Sequence, residues 1–532
     1  LTLPERTASI EEYAFADNYR LKELNFAGGA LTSLVIGDYA FFASSGLQKL
    51  LLPSNLTRIG DGAFSECRNV NSITFAESTE KLVIGEEAFS EIHYLYEAEI
   101  PANVTSLGRG VFKGDTRLKY IYFALTNDNG LVIPEEAFAG ADSIESFTVP
   151  AYVTEIGIRA FYKTHLTSLT ILSDANSSLE INDEAFAYAS LLQEVSLPSS
   201  VTRIGDSAFA FSALSDFVAA DGEKPLSIGR YAFAGTQLSE VELPARTTAL
   251  EEGAFANNAL LTKIDLGSGV EEIGDGAFRG SNLLTYVTCG NVGKVGAYAF
   301  YGTNVTTIDC TTVYEVGEYA FAESALIRFV SDTTEAVKIS DNAFLDCKEL
   351  SEVSIKTSST LSVGEKAFFD CVKLSVLNAE CATASLGGGF AGNATSLSDG
   401  FVLTETSIDA NYAFDKTEHV AYASDYTEFV FYPAGKKGST FVLRNETTSF
   451  APYAFYGNDK LTGVVIPGDG VASKQATSFE GMGELVFYVG AEYVSAYRND
   501  WGIDNVQAYT LKGGFFILTM QNSGEYHISG YL

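Results

Sequence analysis

Phenylalanine, usually as Ala-Phe, returns nineteen times along this chain at nearly constant spacing. The positions are Phe15, Phe41, Phe64, Phe89, Phe112, Phe138, Phe161, Phe186, Phe209, Phe233, Phe255, Phe278, Phe300, Phe321, Phe344, Phe368, Phe390, Phe414 and Phe455. Every interval but the last is 21–26 residues. A unit of that length cannot bury an apolar face alone, so successive units must stack into a solenoid. Growth in one dimension also accommodates 532 residues, a length at which a single compact core no longer grows.

Residues 192–214 show how one unit is built. Leu192, Val195 and Leu197 follow L-x-x-V-x-L, the end of which alternates with the period of a strand. Pro198 stops that strand because it has no N–H for the ladder. Val201, Thr202, Ile204 and Gly205 make a shorter extended piece, V-T-x-I-G, and its glycine suits a turn of positive φ. Gly60, Gly85, Gly108, Gly157 and Gly274 hold the same place in other units. Ala-Phe follows, and a tight turn leads to the next Leu. The spacing therefore predicts a mostly β coil. It has one long parallel sheet of about twenty short strands, 3₁₀-like turns at Gly-x-x-Ala-Phe, and Phe filling the interior.

The full unit, V-T-x-I-G-x-x-A-F-x-x-C-x-x-L-x-x-V-x-L-P, resembles the BspA-type (Treponema-type) leucine-rich repeat. Residues 56–75 match it nearly position for position, and the resemblance covers about residues 1–480. It implies a leucine-rich-repeat solenoid and a secreted or cell-surface protein. It also implies an adhesin-like role, with a host matrix, plasma or microbial surface protein as partner.

Net charge is −34 and the pI near 4.4, which argues against nucleic acid as a partner. No apolar run reaches the ~20 residues that span a bilayer, which argues against membrane insertion. Leu1-Thr2-Leu3-Pro4 reads as the inside of a repeat rather than a signal peptide. Six cysteines do not make a disulfide scaffold. Cys67, Cys347 and Cys371 stand three residues after a repeat Phe, in a slot that elsewhere holds Ala141, Thr164, Ser212 or Ser324. They read as buried free thiols. Cys289 and Cys310 share a strand-end slot in adjacent repeats. In-register side chains on parallel strands point the same way, so a disulfide there is not expected.

The pattern breaks between Phe414 and Phe455. Phe429–Tyr432, the turn at Gly435-Lys436-Lys437-Gly438, and Thr440–Leu443 read as a hairpin variant of the repeat, about residues 415–455. The expected organisation is thus a solenoid over 1–478 and a C-terminal cap over 479–532. The cap has a short helix in 490–500, Trp501 as a packing residue, and a terminal hairpin in which Phe515–Leu518 and Tyr526–Ile528 flank Asn522-Ser523-Gly524.

Catalytic chemistry is not legible. His93, His165, His419 and His527 lack the context of a zinc site, and neither a nucleophile elbow nor a P-loop occurs. Asp61, Asp206, Asp275 and Asp341 sit after or near the turn glycine but lack a calcium-repeat spacing. No catalytic residue, metal or cofactor is expected. What remains is the outward face of the sheet, formed by the third and fifth residues of L-x-x-V-x-L. There Glu97, Glu99, Tyr120 and Tyr122 form an aromatic–acidic patch, and Tyr286 is a further exposed aromatic. The functional expectation is a surface protein that binds a macromolecule through this face. The alternatives are a structural spacer of the cell envelope and a carbohydrate-binding protein, the latter reading those tyrosines as glycan platforms.

Overall fold

The structure, a computed structural model, describes residues 1–27, 33–124, 126, 130–173, 177–407, 409–512, 515–520 and 524–528. It divides into two units, Leu1–Gly290 and Asn291–Leu532, each a parallel β-solenoid with almost no helix.

In the first unit each turn of the coil contributes two strands. The L-x-x-V-x-L strands pair in register and parallel, as in Lys49–Leu52, Ser72–Phe75, Glu97–Ile100 and Tyr120–Phe123. Their exposure alternates out–in, so Leu50, Ile73 and Ala98 face the core while Leu51, Thr74 and Glu99 face solvent. The V-T-x-I segments form a second parallel ladder, where a single sheet was expected. This ladder runs unbroken from Leu131–Ile133 to Glu272–Ile273, whereas the first is divided into short runs.

Between the ladders runs a column of stacked phenylalanines. From Phe15 to Phe278 successive rings lie 5.1–6.0 Å apart at interplanar angles of 2–25°. From Phe41 onward the rings are fully buried. Each pair adds about 0.5–1.5 kcal/mol beyond the area it buries.

The turn that carries the Phe is the same from rung to rung. Residues two before and two after it take positive φ, such as Tyr39 and Ala43 around Phe41, or Glu87 and Glu91 around Phe89. This alternation points successive N–H groups in two directions. Those of Tyr39, Phe41 and Ala43 donate to carbonyls of the next rung, at Asp61, Ala63 and Ser65, over 2.7–2.9 Å. Those of Ala40, Phe42 and Ser44 donate back three residues to Gly37, Tyr39 and Phe41. The expected 3₁₀-like step is thus two successive β-turns, and it makes a third, non-strand ladder that gives most of the buried N–H groups of the turn a partner.

The glycine of V-T-x-I-G does not have positive φ, contrary to expectation. It is there because adjacent rungs approach closely. A Cβ on Gly60 would lie 2.5 Å from the Asp38 nitrogen, and one on Gly157 would lie 2.6 Å from that of Glu135.

In several rungs the slot three residues after the Phe carries a side-chain donor, although Ile92, Ala141 and Ala189 occupy it without one. Ser44, Cys67, Asn258 and Ser281 donate to the carbonyls of Phe15, Phe41, Phe233 and Phe255 in the preceding rung, over 2.5–3.1 Å. Cys67, Cys347, Cys371 and Cys381 are buried and free. Cys289 and Cys310 are disulfide-bonded, against expectation. Each lies one residue beyond the end of a strand, where the ladder no longer dictates which way a side chain points.

The second unit has a parallel ladder of its own from Lys294–Val295 to Thr383–Leu386, and its Phe300, Phe321, Phe344 and Phe368 stack at 5.0–5.1 Å. The column then changes. Phe414 is not a repeat phenylalanine. It sits half-buried on Tyr412–Asp415, which pairs antiparallel with Val420–Ala423, and that strand pairs antiparallel with Glu428–Phe431. Asp415 Oδ1 accepts the N–H groups of Thr417 and Glu418, closing a tight turn where a repeat would continue. Phe431 packs against Phe390 at 4.6 Å, its ring tilted by 43°.

The hairpin expected of Phe429–Tyr432 and Thr440–Leu443 does not form. Glu428–Phe431 pairs parallel with Ser449–Phe450, whereas Thr440–Val442 pairs parallel with Gly463–Ile466 in another sheet. Lys436 folds back onto Glu418 at 3.1 Å.

Near the C-terminus Phe429, Phe455 and Phe479 stack, and helix Val494–Trp501 brings Trp501 against Phe450, Phe487 and Tyr497 at 4.9–5.8 Å. The Trp501 indole donates to the Ala472 carbonyl at 2.9 Å. Val506–Lys512 joins the parallel strand Val486–Val489, then pairs antiparallel with Phe515–Met520, which pairs with Gly524–Ile528. Asn522 and Ser523 lie outside the described residues.

Two outcomes follow from this packing. Trp501→Ala should cost about 3–5 kcal/mol, read as a lowered urea midpoint. A variant within 0.5 kcal/mol of the parent (about the scatter expected of a neutral surface change) would show that the indole is not a core residue. The second concerns Asp115, which occupies the donor slot fully buried. Its Oδ1 accepts the Ile92 N–H at 2.7 Å, and its Oδ2 has no partner. Asn258 makes the same bond to Thr236 N–H and donates its amide to the Phe233 carbonyl. A neutral Asp115 completes that pattern, and burial holds its pKa well above the ordinary carboxyl value. Because the folded pKa is the higher one, this stabilisation is present below the unfolded value of ~3.9 and is lost as pH rises through the folded value. Calorimetry from about pH 5 to 9 should show the parent's Tm falling relative to that of Asp115→Asn, with the variant a few degrees higher at alkaline pH. Parallel curves would mean that Asp115 does not titrate on unfolding.

Candidate binding face

The outward positions of the first ladder vary widely from rung to rung. Successive pairs read Lys49/Leu51, Ser72/Thr74, Glu97/Glu99, Tyr120/Tyr122 and Ser146/Thr148. No repeated packing demand acts there, because the inward residues alone fill the coil.

Register brings four of the five candidate residues together. Tyr120 is opposite Glu97, and Tyr122 is opposite Glu99. Tyr120 is 37% and Tyr122 54% exposed, with both glutamates on the solvent side. The two tyrosine rings stack at 6.2 Å and 10°. Tyr286 is exposed opposite Lys263, but seven rungs along the ladder from Tyr120. At ~4.8 Å per rung that is about 34 Å away, so Tyr286 is not part of the patch.

The structure adds residues that the alternation argument passed over. Tyr94 and Tyr96 are 52% and 48% exposed in the segment entering the strand Glu97–Ile100. Tyr96 meets Tyr120 edge-on at 5.4 Å, and their hydrogen bond is the main cause raising the Tyr96 phenol above its ordinary pKa. Arg117 lies over the Tyr94 ring at 4.6 Å and Lys119 over Tyr120 at 5.8 Å. Lys119 also pairs with Glu145 at 3.0 Å. The signal was present in Tyr94-Leu95-Tyr96. Leu95 is the first inward residue of the pattern, which marks its two neighbours as candidates for the surface, although strand alternation begins only at Glu97.

The aspartates that follow the turn glycine, or Asn182 or Ser340 in its place, have a structural task. Asp38, Asp61, Asp183, Asp206 and Asp341 each accept a backbone N–H from the next rung at 2.7–3.0 Å. Among the described residues no group of three or more His, Cys, Asp or Glu could hold a metal ion, and no helix is long and apolar enough to cross a membrane.

A family description, BspA type leucine-rich repeat region, matches residues 8–130, 125–225, 220–328 and 314–424. No curated protein matches. Among solved structures the chain is similar to a leucine-rich repeat protein from Bacteroides ovatus, at 22% identity over 66% of this chain and 82% of that one, with a TM-score of 0.46. A leucine-rich cell surface protein from Faecalibacterium prausnitzii is 23% identical over 58% and 86%, with a TM-score of 0.32. A leucine-rich repeat protein from Eubacterium ventriosum is 18% identical over 59% and 82%, with a TM-score of 0.30. With its repeats matched over most of its length, and with the solenoid those repeats build, this chain belongs to the BspA-type leucine-rich repeat family.

Proposed function

We propose that this is a secreted or cell-surface, adhesin-like protein that binds a macromolecular partner, most simply another protein, through the outward face of its first ladder. The observation that carries the reading is the exposed, in-register patch of Tyr120, Tyr122, Glu97 and Glu99 on a rigid sheet. Tyrosines there offer large contact area at low entropic cost, and a preorganised scaffold limits what binding must order. The family membership supports the same reading, and no catalytic role is assigned to any residue. In this reading repeats 1–478 form the binding array, including the variant stretch near 415–455, and 479–532 close it.

A glycan is the weaker partner. Tyr120 and Tyr122 turn ring faces toward each other, which leaves less free aromatic platform for a sugar.

Binding to arrays of matrix proteins, plasma proteins, microbial surface proteins and glycans tests the proposal. The parent should give at least one saturable protein hit, weakened tenfold or more in Tyr120→Ala/Tyr122→Ala. A hit untouched by the double substitution would move the site off this face. Silence across the array would favour a spacer of the cell envelope.

A further inference from the structure

Resting on that reading of the face, we infer that its partner presents an extended segment with Lys or Arg at alternate positions, and that the tyrosine–glutamate patch is the receptor for those cations.

Three observations converge. First, the tyrosines of this patch already hold cations. Arg117 covers Tyr94 and Lys119 reaches Tyr120, both from this chain. Tyr96 and Tyr122 are about half exposed and, among the described residues, have no such cation. An ammonium or guanidinium over an exposed ring is attracted by the ring quadrupole, so these two rings are open places of the same kind.

Second, charge is left over next to them. Glu145 is paired with Lys119, but Glu97 and Glu99 make no ion pair among the described residues. A carboxylate beside each free ring turns a weak cation–π contact into a two-sided site. The chain's net charge of −34 adds a long-range attraction for basic segments. The same charge opposes a second copy of this chain as the occupant.

Third, the spacing suits an extended backbone. Glu97 and Glu99 are two residues apart on one strand, about 7 Å, and the Tyr120 and Tyr122 rings are 6.2 Å apart. Alternate side chains of an extended peptide repeat at that same ~7 Å. Side chains Lys-x-Lys on one face of such a peptide can therefore engage both members of a pair, whereas adjacent lysines point to opposite faces.

The test uses the whole chain and two fluorescent peptides of equal composition. One alternates Lys with Thr over eight residues, and the other places the four Lys in one block. Anisotropy is read at 50 and 300 mM NaCl. The alternating peptide should bind at least fivefold tighter than the block peptide and weaken at high salt. Glu97→Gln/Glu99→Gln and Tyr122→Ala should each reduce its affinity fivefold or more, while Glu240→Gln/Glu242→Gln, elsewhere on the same ladder, should change it less than twofold. Circular dichroism melts confirm that the variants stay folded. No binding, no preference between the peptides, or an equal loss at Glu240/Glu242 would overturn the inference, the last two by revealing unspecific charge attraction. If lysine peptides fail while Tyr120→Ala/Tyr122→Ala still abolishes a protein hit on the array, the face remains a binding face and only the cationic partner falls.

Discussion

A phenyl ring that meets its own copy on both sides along the coil leaves little freedom in how each turn is made. Rings 5.1–6.0 Å apart and nearly parallel must be delivered at the same height, with the same tilt, by every rung of the first unit. The strand ladders repeat at ~4.8 Å, so the rings stack with an offset rather than face to face, the arrangement their quadrupoles favour. The repeated turn conformation is what delivers them. Its paired positive-φ residues fall on Tyr, Glu, Lys, Ala and Asn as well as Gly. Local preference therefore does not set this conformation; the stack imposes it.

Holding that stack in a dry interior raises the question of where the backbone polar groups go. The alternating turn answers it for the N–H groups by sending half to the next rung and half back along the chain. Several Phe carbonyls are met by a side-chain donor in the following rung, which explains why Ser, Cys and Asn can share one slot with little else in common. The glycine closing the second ladder belongs to the same logic, since rungs this close leave no room for a Cβ. Asp115 is the one carboxyl set in the buried donor slot of the first unit, and the slot, not the side chain, dictates the state it must adopt.

The outward residues carry none of these demands, and that is why they can differ so widely between neighbouring rungs. Strand alternation placed Glu97, Glu99, Tyr120 and Tyr122 on solvent from sequence alone, and register then set them opposite one another. Tyr94, Tyr96, Arg117 and Lys119 were harder to see. They lie at or before the strand entrance, where a two-residue period has not yet begun and the preceding turn decides where the side chain goes. Tyr286 satisfied the same rule as Tyr120 but stands seven rungs away, a separation that a residue pattern counts and a patch does not tolerate.

Period, strand alternation and the identity of the core residues were determined by the sequence, because each repeat must bury the same face against the same neighbour and so must repeat the same apolar positions. Where the period was broken, the sequence was ambiguous. Phe414 matched the pattern, yet an Asp415-centred turn folded its segment into an antiparallel hairpin, and Phe431 packs against Phe390 instead. Whether the second extended piece paired, why its glycine was needed, and which aromatic side chains met on the surface depended on the distance between rungs. That distance is a property of the stacked coil and not of any one repeat, so only the tertiary structure decided it.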